Sequence, residues 1–414
     1  MLVLSGATIV LPDRLLSPAT LVIDGDRIVG VRSGSLETEP SMLPLHGHFI
    51  VPAFIDVHTH GVAGVDTLDG DAAVQRIAQR VPRYGVAAFC PTAVACTPAL
   101  LRRFLDEVSQ ARTAPRPDAA RVLPAHLESN FINPAFAGAQ PAGCLRVPRS
   151  AMERLRHWPE RPAPPPVPEQ DFEGDDILRE IAAVAPDVGT VTLAPELDGG
   201  LALVQWLVAG GHRVSLGHSG AGYDEAMAAV AMGARQATHL FNRMPPLDHR
   251  LPGLAGAVLQ SSDVAAEVIA DGAHVHPAMV RLAVAAKGPA RVMAITDSSA
   301  VAGLAPGARA RLGGQPIMAG PASAVREDGT LAGSTATMDG VFRNLVDQVG
   351  LTLVEAAVLC ATTPACELGL TGHGVIAEGA MADVVVLDRD LRVVQTYIGG
   401  RLAWPPASGV DLPR

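Results

Sequence analysis

Eight times between residues 54 and 299 a short apolar run gives way to a stretch with helical spacing. The runs are FIDVHTH (54–60), VAAFCPTA (86–93), VLPAHLES (122–129), TVTLAPEL (190–197), RVSLGHS (213–219), QATHLFN (236–242), AEVIADGAHV (266–275) and RVMAITDSS (291–299). Amphipathic segments such as YDEAMAAVAMGA and PAMVRLAVAAKG fill the gaps between them. Strands that alternate with helices make parallel sheets, and eight such units are the count and size of a (β/α)8 barrel. A doubly wound open sheet competes with that reading, but no GxGxxG follows the first run.

The ends of the chain have another texture. ATIVLP leads into ATLVIDGDRIVGVRS, where Asp24-Gly25-Asp26 predicts a hairpin turn between alternating runs. ADVVVLDRDLRVVQTYIGGRLAW (382–404) repeats the strand–turn–strand pattern. The expected organisation is a small β-sandwich domain from residues 1–50 and 375–414, with the barrel over 51–374. RPAPPPVPEQDFEGDD (161–176) is proline-rich and then acidic, and predicts an extended surface excursion after the third strand.

Bulk properties exclude several classes. At 48% hydrophobic and 18% charged residues the chain is not disordered. A net charge of −10 disfavours nucleic acid and anionic membrane as partners. No run approaches the roughly 18 apolar residues of a membrane span, and MLVLSGATIVLPDRLL reads as a first strand rather than a signal peptide. The five cysteines are odd in number and form no CxxC pair. That fits reduced thiols in a cytoplasmic protein better than a disulfide framework.

Barrel active sites lie where the strands end at their C-terminal face. The first run ends in His58-Thr59-His60, whose side chains project together because strand residues alternate. The third ends in His126-Leu127-Glu128, the fifth in His218, the sixth in His239 and the eighth in Asp297. Each has a plainer reading: exposed loop histidines, hydrogen-bonded core histidines, a turn aspartate. Their joint position at strand ends favours a metal site instead. Imidazoles with a carboxylate suit Zn²⁺ first, with Fe²⁺, Mn²⁺ or Co²⁺ as alternatives. Such an ion lowers the pKa of a bound water to about 7 and polarises a carbonyl, and Asp297 is placed to shuttle the proton to a leaving nitrogen.

Longer words narrow the reading. PAFIDVHTHG, HLESNFINP, GTVTLAPE, SLGHSGAGYDEA, ATHLFNRMPPLDHRLPGLAGAVL, IADGAHV, AITDSSAVAG and GTLAGSTATMDGVFRNLV occur in this order. In them the chain resembles the N-acetylglucosamine-6-phosphate deacetylases of the amidohydrolase superfamily. The resemblance runs from the first barrel strand to the C-terminal β-segment. It implies Glu128, His218 and His239 as the core metal ligands, His58 and His60 as holders of a second ion, and Asp297 as base and then acid. It implies Ala139, Gln140, Asn242, the backbone of Arg243, Arg250 and His274 as contacts to sugar and phosphate, with Leu331, Ala332 and Gly333 in a covering loop. Arg250 would reach the neighbouring subunit's site, which implies a homodimer.

Three departures bear on the substrate and leave the metal positions alone, one of them the proline-rich excursion at 161–176, which lies beyond what the family usually has there. Ser129-Asn130 stands where the family usually has Gly-Pro, and Gln140 where it commonly has a sugar-contacting histidine. The leading expectation is metal-dependent deacetylation of N-acetylglucosamine 6-phosphate to glucosamine 6-phosphate and acetate. The alternatives are an amidohydrolase for another N-acetyl hexosamine or small N-acyl amide, and a metal-free sugar-phosphate binding protein.

Overall fold

The computed structural model describes residues 1–35, 42–155 and 171–405. Eight parallel strands form a barrel: β1 (Phe54–Thr59), β2 (Val86–Ala93), β3 (Ala125–Glu128), β4 (Val188–Leu193), β5 (Arg213–Leu216), β6 (Gln236–Ala237), β7 (Ala265–Ile269) and β8 (Val292–Ile295). Continuous ladders join β1 to β8 in chain order. The ring closes just beyond the strand ends, where His60 N–H donates to Ser298 O (2.9 Å) and Asp297 N–H to His58 O (3.1 Å). Beneath this seam the buried Asp56 carboxylate accepts from the Thr59 and Thr296 hydroxyls at 2.7 and 2.5 Å.

These strands are buried on both faces, as parallel strands covered by helices must be, and their sequences are correspondingly apolar. Alternate residues divide between two clusters. Ile55, Val57, Ala88, Cys90, Ile269, Met293 and Ile295 pack together, while Phe54, Phe89, Leu127, Val191 and Val214 join the larger core shared with the helices. Helix Pro98–Thr113 illustrates the outer layer. The Thr97 hydroxyl caps Leu100 N–H, Pro98 takes the first position, and Leu101, Phe104, Leu105 and Val108 turn inward.

Strands from both ends of the chain build one eight-stranded sheet: Leu2–Val10, Leu15–Asp24, Arg27–Ser33, Met42–Pro44 and Phe49–Pro52 from the N-terminal side, Val384–Leu387, Val393–Ile398 and Arg401–Trp404 from the other. Ile28 N–H donates to Ala380 O and Ala382 N–H to Asp26 O, drawing the far edge back around a core of Leu4, Ile9, Leu21, Ile50, Val384 and Tyr397. The hairpin expected at Gly25 is present, with φ +57° there.

Of the proline-rich segment, 161–170 lies outside the described residues; 171–173 leads into helix Gly174–Ala183, so the acidic end, Asp175 and Asp176, forms the first helical turn and not an extended excursion. A three-stranded antiparallel sheet, Arg309–Leu312, Gln315–Ala319 and Ala324–Val325, was not foreseen. It delays the next helix to Met338–Asp347. No helix among the described residues is long and apolar enough to cross a membrane.

Candidate active site

Strands β5, β6 and β8 each place a site residue two positions beyond the last ladder residue: His218 after Leu216, His239 after Ala237, Asp297 after Ile295. All three have left-handed backbone, with φ of 48°, 33° and 48°. That conformation is strained for a residue with a Cβ and persists only where the surroundings hold it. It swings each side chain inward over the barrel axis. β1 and β3 contribute from within the strands, through His58 and Glu128.

The groups converge. Glu128 Oε1 lies 3.0 Å from both His218 Nε2 and His239 Nε2, and those two nitrogens are 3.0 Å apart. Glu128 Oε2 lies 3.3 Å from His60 Nε2, and Oε1 lies 3.6 Å from His58 Nε2. His58 and His60 approach to 3.2 Å through their Nε2 atoms. Asp297 Oδ1 stands 3.3 Å from His60 Nε2 and 3.5 Å from His58 Nε2. Glu128 therefore bridges two nitrogen pairs, and Asp297 sits against the second.

The donor set fits divalent metal. Two ligands on one ion in tetrahedral geometry stand about 3.3–3.4 Å apart, close to the spacings seen here. The burial of the set, 0–8% exposure for all six residues, leaves little water to satisfy these lone pairs. Second partners orient some rings: His218 Nδ1 bonds Phe136 O at 2.9 Å and His58 Nδ1 bonds Glu267 Oε2 at 3.0 Å. His60 Nδ1 and His239 Nδ1 have no hydrogen-bond partner among the described residues.

Electrostatics follow from burial and proximity. Burial pushes His58 down to about 4. Burial acts the same way on His60, but the hydrogen bonds it donates to Asp297 and Glu128 outweigh it and lift that imidazole to about 10. Burial opposes ionisation of Glu128, yet the charge and hydrogen bonds of His218, His239 and His60 hold its carboxyl well below the usual range. Asp297 is lowered in the same way, against its burial, by His58 and His60.

Above the cluster opens a cavity of ≈ 500 Å³. His60, Glu128, His218, His239, Asp297, Ala139, Gln140, Asn242, Arg243, His274, Leu331 and Gly333 all line it. His58 lies behind them, fully buried, and Ala332 is buried behind Leu331. Arg250 does not line the cavity of its own chain; it stands exposed in the loop after β6. The buried Asn242 Nδ2 has no partner among the described residues, which leaves it free for a ligand. Gln140 accepts from Ala95 N–H at 2.8 Å and donates to Glu128 Oε2 at 2.5 Å.

Gly333 earns its identity at the cavity edge. Its φ is +70°, and a Cβ there would meet Asp297 O at 2.9 Å. Ser334 N–H donates to that same carbonyl at 2.7 Å, so this loop is fastened to Asp297.

Sequence reasoning missed three carboxylates. Asp56 ties the barrel seam. Asp271 bonds His274 Nδ1 at 2.7 Å, turning Nε2 of that ring to other partners. Glu267 braces His58 from β7. A lone acid inside the apolar run AAEVIA was the available signal for the last. His126, beside Glu128 in sequence, is held on both nitrogens by Val57 O (3.1 Å) and the Thr192 hydroxyl (2.8 Å). It is a hydrogen-bonded core histidine.

Comparison with known proteins agrees with this geometry. Residues 211–403 match the amidohydrolase family model. The N-acetylglucosamine-6-phosphate deacetylase of Lysinibacillus sphaericus is 34% identical over 86% of this chain and 86% of its own length. The N-acetylgalactosamine-6-phosphate deacetylase of Escherichia coli O157:H7 is also 34% identical, over 86% of this chain and 87% of its own. Among solved structures, a mutant N-acetyl-D-glucosamine-6-phosphate deacetylase from Mycobacterium smegmatis, in complex with N-acetyl-D-glucosamine-6-phosphate, superposes with a TM-score of 0.83 at 33% identity. That match covers 97% of this chain and 99% of the other.

Proposed function

The chain belongs to the N-acetylglucosamine-6-phosphate deacetylase family, and from that premise we propose that it hydrolyses the acetamide of N-acetylglucosamine 6-phosphate to glucosamine 6-phosphate and acetate. The observation that carries this reading is the meeting of four imidazole Nε2 atoms with the Glu128 and Asp297 carboxylates on the floor of a sugar-sized cavity.

Glu128, His218 and His239 would hold one divalent ion, with His58 and His60 available to a second. Zn²⁺ suits imidazole and carboxylate donors best, and Fe²⁺, Mn²⁺ or Co²⁺ also suit them. When bound, such an ion polarises the acetyl carbonyl and lowers the pKa of a water. The chain supplies the rest. Asp297 accepts the proton from the attacking water and returns it to the nitrogen as the C–N bond breaks. Asn242, the backbone at Arg243, and His274 held by Asp271 are the contacts for sugar and phosphate. Leu331, Ala332 and Gly333 form the covering loop.

Arg250 is exposed and does not line its own cavity, which supports a role across a homodimer interface, where an arginine fork would grip the phosphate. The free cysteines and a phosphorylated substrate fit a cytoplasmic enzyme.

One observation favours a second sugar. Gln140 replaces a titratable side chain with a neutral one at the cavity wall, and the E. coli relative named for the galactosamine epimer is as identical to this chain, at 34%, as the L. sphaericus relative named for the glucosamine. Acetate release from the 6-phosphates of N-acetylglucosamine and N-acetylgalactosamine, and from unphosphorylated N-acetylglucosamine, tests the assignment. We expect turnover of a phosphorylated sugar and at least about a hundredfold loss in Asp297→Asn. Turnover of unphosphorylated sugar alone, or full activity in Asp297→Asn, contradicts it.

A further inference from the structure

We propose that Glu267 is a positioning residue that makes His58 a metal ligand, and so decides whether the His58–His60 pair holds a second ion; this rests on the metal-site reading above. Glu267 projects from β7 and is 1% exposed. Its Oε2 lies 3.0 Å from His58 Nδ1. A neutral imidazole carries one N–H and one lone pair, and the hydrogen bond at one nitrogen fixes the role of the other. With a carboxylate oxygen at Nδ1 the proton sits there, and the Nε2 lone pair faces His60, Glu128 and Asp297.

Without that acceptor the ring gains by moving its proton. Nε2–H would then face Asp297 Oδ1 at 3.5 Å and Glu128 Oε1 at 3.6 Å, and a proton would stand where a cation has to bind. The tautomer with the lone pair inward therefore depends on β7.

Neighbouring groups do not share the task. His126 lies 3.7 Å from Glu267 Oε1, but its own nitrogens are taken by Val57 O and Thr192. The trio His58, His126 and Glu267 is accordingly a brace and not a third ion site. The other nitrogen pair is oriented independently, since His218 Nδ1 bonds Phe136 O. Glu267 thus acts on one half of the centre only.

Metal content and affinity test this directly, by elemental analysis and competition with a chromophoric chelator, using Zn²⁺ as the probe. The wild-type protein should bind two ions per subunit. Glu267→Gln, which exchanges a carboxyl acceptor for an amide able to present either face, should weaken one ion by about 10–100-fold and leave the other within about twofold. Glu267→Asp keeps the carboxylate but withdraws it, and should give an intermediate loss. In a His58→Ala background Glu267→Gln should have no further effect, an outcome a merely structural role would not produce. Circular dichroism of the metal-free variants establishes that each is folded, and Glu267→Asp carries the test if Glu267→Gln is not.

Equal weakening of both ions, unchanged affinity for both, or additive losses in the double variant would each overturn the proposal. So would a wild-type protein that binds one ion. Absence of deacetylase activity with two ions bound would instead count against the substrate reading and leave Glu267's role standing.

Discussion

At the scale of single residues, the site separates histidines by what holds their second nitrogen. His126 and His58 pack edge to face with ring centroids 4.6 Å apart, and both are buried within the barrel. His126 has spent both nitrogens on the protein, while His58 has one left. No sequence pattern distinguishes these cases, because the deciding partners, Thr192 and Glu267, come from other strands. Gln140 is a sharper instance. Its residue type was legible as a departure, but not its double bond to Ala95 N–H and Glu128 Oε2. Gln140→Leu would strand a buried N–H and remove a donor from the bridging carboxylate. We expect a loss of about 1–3 kcal/mol in urea unfolding and roughly a 10-fold or greater fall in acetate release. Wild-type stability with wild-type turnover would show that Gln140 is only wall.

At the scale of elements, all eight barrel strands were visible in the sequence as apolar runs, because parallel strands are buried on both faces. Their ends were not. The fifth, sixth and eighth runs read as strands ending at His218, His239 and Asp297, whereas the ladders stop two residues earlier, at Leu216, Ala237 and Ile295. Left-handed backbone at His218, His239 and Asp297 breaks them off, and side-chain propensity carries no mark of a φ imposed by the surroundings. The sheet over Arg309–Val325 escaped for a different reason: four- or five-residue alternations flanked by glycine look like loop. The strained ends make a prediction of their own. Asp297→Gly should be more resistant to urea than Asp297→Ala by about 1 kcal/mol, since glycine accepts φ 48° freely. Equal midpoints would mean that the strain is not stored at this turn.

At the scale of the whole molecule, the terminal sheet and the barrel meet around Asp383. Its carboxylate accepts from Arg121 at 2.7 Å, His373 at 2.9 Å and Gly399 N–H at 2.8 Å, while its carbonyl accepts from Ala53 N–H. Burial would raise this carboxyl, but the His373 hydrogen bond and the Arg121 charge outweigh it and hold it below the ordinary range. A depressed native pKa contributes stability that is complete above the unfolded value, near 4, and is lost as pH falls through the native one. Asp383→Asn should therefore lower stability by about 2 kcal/mol near neutrality, and the gap should close only below about pH 4. A gap that stays constant to pH 3 would contradict the pairing. The two-ended β-domain itself was legible from the similar texture of both termini, whereas this clamp was not, since Arg121 and Ala53 reach Asp383 from the other end of the chain. Catalysis turns on whether the His–Glu–Asp cluster works through a divalent ion. The most direct measurement is acetate release from N-acetylglucosamine 6-phosphate by the protein as purified, after exhaustive chelation, and after adding back Zn²⁺. Activity that disappears on chelation and returns with the ion is the predicted result, and turnover that survives verified metal removal would contradict it.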